Sequence, residues 1–127
     1  LQNIKTDRLP NGLEIVVITD TRAPVITHMI WYKAGAMDDP EGKSGIAHYF
    51  EHLMFKGTKT LAPGEFSEKI AMMGGSENAF TAYDYSAYFQ RISADKLTEV
   101  MKLEADRMSN LVFVESQALS ERDVVLE

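Results

Sequence analysis

The chain has no cysteine among its 127 residues. That excludes a disulfide scaffold and any thiolate metal site, so a metal here must be held by histidine and carboxylate. It does not fix the compartment: periplasm, bacterial cytoplasm and mitochondrion are all compatible. Basic residues are the minority, 13 against 19 acidic, and the net charge of −6 argues against nucleic acid as a main partner. No run approaches the roughly 18 apolar residues that a membrane-spanning helix needs. No signal-peptide pattern, internal repeat or low-complexity tract is visible. What remains, 45% hydrophobic and 25% charged, is the composition of an ordinary globular chain of at most one domain.

Histidine is also scarce, and two of the three stand together. His48 and His52 are four residues apart in Gly45-Ile46-Ala47-His48-Tyr49-Phe50-Glu51-His52-Leu53-Met54-Phe55. On an α-helix, positions i and i+4 share a face, so both imidazoles can reach one metal ion. Glu51 lies near the same face. The pattern is H-x-x-E-H, the inversion of the commoner H-E-x-x-H zinc motif. Zn²⁺ accepts imidazole nitrogen readily, and a catalytic site takes three protein ligands plus an open position for water. The glutamate is then placed to accept a proton. A histidine pair with a nearby glutamate can also be a surface coincidence. Ile46, Tyr49, Phe50, Leu53 and Met54 at helical spacings predict instead a helix packed in the body of a domain, where unpartnered polar groups are costly.

The rest of the chain reads as strands paired by turns, with helices inserted. Leu9-Pro10-Asn11-Gly12 is a hairpin turn between Ile4–Arg8 and Leu13–Ile18. Val25–Lys33 alternates and reads as a central strand; its His28 is expected to pack or lie at the surface. Residues 34–45 form a loop, with Ser44 as the N-cap of the histidine helix. Glu65–Met73 is a short helix with Phe66, Ile70 and Met73 on one side, stopped by Gly74-Gly75. Asn78–Tyr83 is extended and, on its own residues, reads as a connection leading into the strand Tyr85–Ile92. Ser93 is expected to cap a helix over Ala94–Ser109 with Leu97, Val100, Met101, Leu103 and Met108 inside. A last helix starts near Ser116. The fold class expected is α+β, a mainly antiparallel sheet with helices packed on it.

With these blocks placed, the chain resembles the pitrilysin family of inverzincin peptidases, which includes insulysin and the mitochondrial processing peptidase. Leu9–Leu13 is similar to the family's opening hairpin, and Gly35–Pro40 to its loop before the metal helix. Gly45–Thr58, ending His52-Leu53-Met54-Phe55-Lys56-Gly57-Thr58, is the most specific block. Asn78-Ala79-Phe80-Thr81 with Asp84 and Tyr88 resembles its substrate-side strand. Glu121-Arg122-Asp123-Val124-Val125 resembles the start of the helix that brings the last ligand. The resemblance implies a metalloprotease fold of the LuxS/processing-peptidase kind. It implies a Zn²⁺ cofactor held by His48 and His52, with Glu51 as general base and Glu121 supporting the site. It also implies Asn78, Ala79 and Phe80 on an edge strand that pairs with an extended peptide substrate by β-augmentation, reversing the plainer reading of that stretch.

One departure matters. The family's third ligand is a glutamate seven positions after the one matching Glu121, one residue beyond Glu127. The chain begins at Leu1, and the helix expected over Glu115–Glu127 has no Gly, Asn or Pro to end it. The expectation is that residues 1–127 are the amino-terminal part of one peptidase domain, truncated at the carboxyl end. Alone, they are expected to bind zinc weakly, to lack activity and to need the remainder of the enzyme or a related partner subunit in a dimer. The function expected of the parent is zinc endopeptidase. The alternative is a non-catalytic assembly or presenting subunit, or an inactive fragment, of the same fold. Such subunits typically lose the H-x-x-E-H residues, and here all three are present.

Overall fold

A hairpin opens the chain. In the computed structural model, which describes residues 3–126, β1 (Asn3–Arg8) pairs antiparallel with β2 (Glu14–Thr19). The turn closes as Asn-Gly predicts: Gly12 sits at φ +90°, and the Asn11 side chain accepts the Leu13 amide at 3.1 Å. The two strands form a sheet of their own. Val16 and Val17 point to opposite faces, yet both are exposed, so this ribbon adds nothing to the core.

The second sheet organises the domain. β3 (Val25–Tyr32), β4 (Ser76–Thr81) and β5 (Ser86–Ser93) are antiparallel in the order β3-β5-β4. The expected central strand, Val25–Lys33, is therefore an edge strand among the described residues, and β5 holds the centre. The burial explains the exchange. β5 has Ala87, Tyr88 and Gln90 buried on both faces, whereas β3 leaves Val25 and Trp31 at the surface.

Helices complete the α+β layer arrangement. α1 (Ile46–Leu53) and α2 (Glu65–Met72) lie against β4, α3 (Leu97–Asn110) against β3 and β5, and α4 (Glu115–Leu126) against α1. The apolar core is Leu61, Phe66, Ile70, Ile92 and Val100, with Ile26, Met73 and Leu103 packed around it. Burying each of these large side chains contributes roughly 1.5–3 kcal/mol.

α3 corrects the sequence reading in an instructive way. Val100 is fully buried as expected, but Met101 and Met108 are exposed, and Glu104 and Arg107 occupy the inner positions. Positions 100, 104 and 107 share one helical face, while Met101 lies about 100° away from Val100. The two charges face each other and their surroundings offset most of the cost, although Arg107 Nη1 is buried without a hydrogen-bond partner among the described residues. The Arg107 guanidinium lies over the rings of Phe66, Tyr88 and Phe55, at 4.0, 4.8 and 5.0 Å from their centroids. It also pairs with Glu104, which accepts from Gln90 Nε2 at 2.6 Å. His28 completes the group through Gln90 Oε1 at 3.0 Å, which is the packing role expected of it.

The expected caps also differ. Gly45, at φ +94°, is the N-cap of α1, and Ser44 is not. The Asp39 carboxylate does the capping instead, accepting the amides of Gly45 and Ala47 at 2.7 and 2.8 Å. Ser93 precedes a 3₁₀ turn, Ala94–Lys96, and its hydroxyl binds the Asp95 side chain, so α3 begins without a side-chain cap. At Gly57, φ is +108° and an added Cβ would stand 2.7 Å from the Leu61 carbonyl oxygen, so only glycine fits after α1.

Candidate metal centre

α1 is fixed at its start and along its flank. The 3₁₀ turn Ala36–Asp38 is pinned to the β4–β5 connection, with the Ala36 and Met37 amides donating to the Ala82 and Tyr83 carbonyls at 2.9 and 3.0 Å. Gly35 permits this approach, since a Cβ there would stand 2.4 Å from both carbonyl oxygens. On the flank, the Tyr49 hydroxyl donates to the Ala118 carbonyl at 2.6 Å and docks α4. These restraints set where His48, Glu51 and His52 face.

The fully packed helix expected from sequence is only partly present. Leu53 is the one buried residue of α1, and His48 and Phe50 are exposed. The helix has β4 and α4 as neighbours, so its histidine face stays open. On that face the Nε2 atoms of His48 and His52 stand 3.1 Å apart. Two nitrogens bound to one tetrahedral zinc at about 2.0–2.1 Å lie roughly 3.3 Å from each other. The pair thus has the spacing of two ligands of a common ion. Among the described residues no group of three or more His, Cys, Asp or Glu converges to hold a metal. Glu127 lies outside the described residues.

Glu121 reaches this pair from α4. It is 9% exposed and accepts from His52 Nδ1 at 2.7 Å, while Lys56 Nζ lies 2.5 Å from its other oxygen. The Lys56 hydrogen bond holds the Glu121 carboxyl below its ordinary range, with a smaller contribution from His52, against the opposing effect of burial. An ionised carboxylate only accepts, so Nδ1 of His52 carries the proton and a neutral ring keeps the Nε2 lone pair free for a metal. This is the usual support given to a metal-binding histidine.

Glu51 points elsewhere. Its Oε2 accepts a hydrogen bond from the Thr81 hydroxyl at the end of β4. It borders a cavity of about 350 Å³ that is also lined by His52, Phe55, Lys56, Glu121 and the β4 residues Asn78 and Ala79. Deeper in, burial pushes the Tyr88 phenol far up from its ordinary pKa, with the Glu51 charge the next contributor.

The structure therefore brings together His48, Glu51, His52, Glu121, Asn78 and Ala79. Phe80 belongs to the opposite face of the strand, where its ring meets Trp31 and Tyr85 edge-on with centroids 5.8 and 6.0 Å away. β4 is an edge strand among the described residues, as expected. Two contributors were not singled out from sequence. Lys56 lies three residues past the end of α1, in the bend after the helix, so no helical spacing from His52 marks it in the sequence. Thr81 shares the inward phase of β4 with Ala79 and is visible once that alternation is read.

The site thus offers imidazole nitrogens suited to a metal and a carboxylate beside a cleft. Residues 14–127 match the family Insulinase (Peptidase family M16). The chain belongs to that family. It is 41% identical over 120 residues to a Helicobacter pylori protein named zinc protease PqqE, covering 94% of this chain and 27% of the relative. It is 31% identical over 118 residues to a probable mitochondrial-processing peptidase subunit beta of Arabidopsis thaliana, covering 93% of this chain and 22% of the relative. The crystal structure of a protease from Helicobacter pylori superposes with a TM-score of 0.93 at 38% identity, over 98% of this chain and 30% of that one. The chain thus spans less than a third of the length of each. Among the described residues no helix is long and apolar enough to cross a membrane.

Proposed function

We propose that residues 1–127 are the amino-terminal part of a zinc endopeptidase domain that hydrolyses extended polypeptides. The observation that carries this reading is the 3.1 Å approach of the His48 and His52 Nε2 atoms beside a cavity bordered by Glu51. His48 and His52 would hold the zinc, with a third ligand from outside the described residues. When bound, zinc would supply Lewis acidity toward the scissile carbonyl and toward water. Glu51 takes a proton from water in the cavity and returns it to the leaving amine. Glu121 orients His52 through Nδ1, and Lys56 keeps Glu121 charged.

The peptide pairs with the edge of β4 through backbone groups at Asn78, Ala79 and Phe80. Asn78 and Ala79 border the cavity, which supports this placement. The remainder of the peptidase, or a related partner subunit in a dimer, would complete the site; the described residues by themselves would bind zinc weakly and not support turnover. In the full-length protein, Glu51→Gln is expected to retain zinc and fold while peptide hydrolysis falls by about 10² or more. Turnover close to that of the unaltered protein would remove Glu51 from the mechanism.

A further inference from the structure

From the hydrogen bonds around Glu51, we infer that Thr81 is a positioning residue for the reaction, aiming the Glu51 carboxylate through its hydroxyl. The inference rests on the peptidase reading above. Thr81 is the last residue of β4 and donates to Glu51 Oε2 across the gap between strand and helix. The Thr81 hydroxyl is the donor and the Glu51 carboxylate oxygen the acceptor. Fixing one carboxylate oxygen leaves the other free to face the cavity, and it removes the rotation that a terminal carboxylate otherwise keeps.

The hydroxyl also has a polar neighbour. Ser86, directly across the ladder in β5, is 8% exposed, and its Oγ lies 3.0 Å from the Ala34 carbonyl and 3.3 Å from Thr81 Oγ1. Ala34 adjoins Gly35, which starts the segment pinned to Ala82 and Tyr83. One line of contacts thus joins the β4–β5 connection, the loop that caps α1, and the carboxylate on α1. The same strand that is proposed to bind the peptide backbone therefore also aims the base. Ala79 and Thr81 share its inward phase, two residues apart, so substrate and base are registered to one backbone.

Because the observed contact of Thr81 is with Glu51, its removal should lower kcat and leave KM alone. In the zinc-loaded full-length protein, Thr81→Val should reduce kcat for an unstructured peptide by about tenfold or more, the effect of losing a hydrogen bond to a charged group. KM should stay within about twofold, and Thr81→Ser, which restores the hydroxyl, should recover most of kcat. Zinc content and melting temperature are measured beside each variant. Thr81→Ala serves if the valine form does not fold. Three outcomes overturn the inference: a kcat equal to that of the unaltered protein, a change in KM alone, or a serine variant as impaired as the valine one. Each of these leaves the peptidase reading standing, provided the unaltered protein is active and Glu51→Gln is not. An inactive unaltered protein, or an active Glu51→Gln, removes the reading and the inference with it.

Discussion

Two of the carboxylate–cation groups among the described residues differ in almost everything except composition. In one, Glu104 and Arg107 are sealed beneath three aromatic rings, with side chains 2% and 1% exposed. In the other, Glu121 joins His52 and Lys56 beside an open cavity, with His52 and Lys56 about 30% exposed (30% and 31%). The first has no route to a substrate and holds α3 to the sheet. The second couples two helices to a ring nitrogen and leaves the opposite nitrogen free. Burial decides which polar cluster is architecture and which is available for chemistry.

This contrast can be broken from either side. The largest effect is expected at the sealed pair. Arg107→Ala leaves Glu104 buried without its counter-charge and should destabilise the full-length protein by about 3–5 kcal/mol. Denaturant unfolding measures it, and the folded fraction should keep its zinc stoichiometry. At the open cluster, Glu121→Gln should change stability little but weaken zinc affinity by about 10–100-fold, because His52 loses its charged acceptor. Competition with a metallochromic chelator measures this. Lys56→Gln stands at the small end. Glu121 keeps its contact with His52, so zinc affinity should fall by less than about tenfold in the same titration. If Arg107→Ala selectively lost zinc, or Glu121→Gln unfolded the domain, the roles drawn from burial would be reversed.

Much of this was legible in the sequence. Period-two alternation located β3 and β5, Asn11-Gly12 located the first turn, and Gly74 located the end of α2. The i, i+4 histidines placed both imidazoles on one face of α1. Other features are not written locally. Which strand is central depends on what packs against each face, and β3 looks as apolar as β5 until Trp31 is seen at the surface. The burial of Glu104 and Arg107 has no local signal, because their partners, Gln90, Phe55, Phe66 and Tyr88, lie in other elements. Ser44 has the chemistry of an N-cap, but Asp39, farther back along the chain, reaches the same amides once its loop folds over. The link from Thr81 to Glu51 spans thirty residues and exists only when β4 lies beside α1.

The central claim is that the two α1 histidines hold the metal. Elemental analysis of the purified full-length protein, beside Glu51→Gln and His52→Ala, tests it most directly. The account predicts one zinc per chain in the unaltered protein and in Glu51→Gln, and no stoichiometric zinc in a folded His52→Ala. A folded His52→Ala that retains its zinc would contradict it.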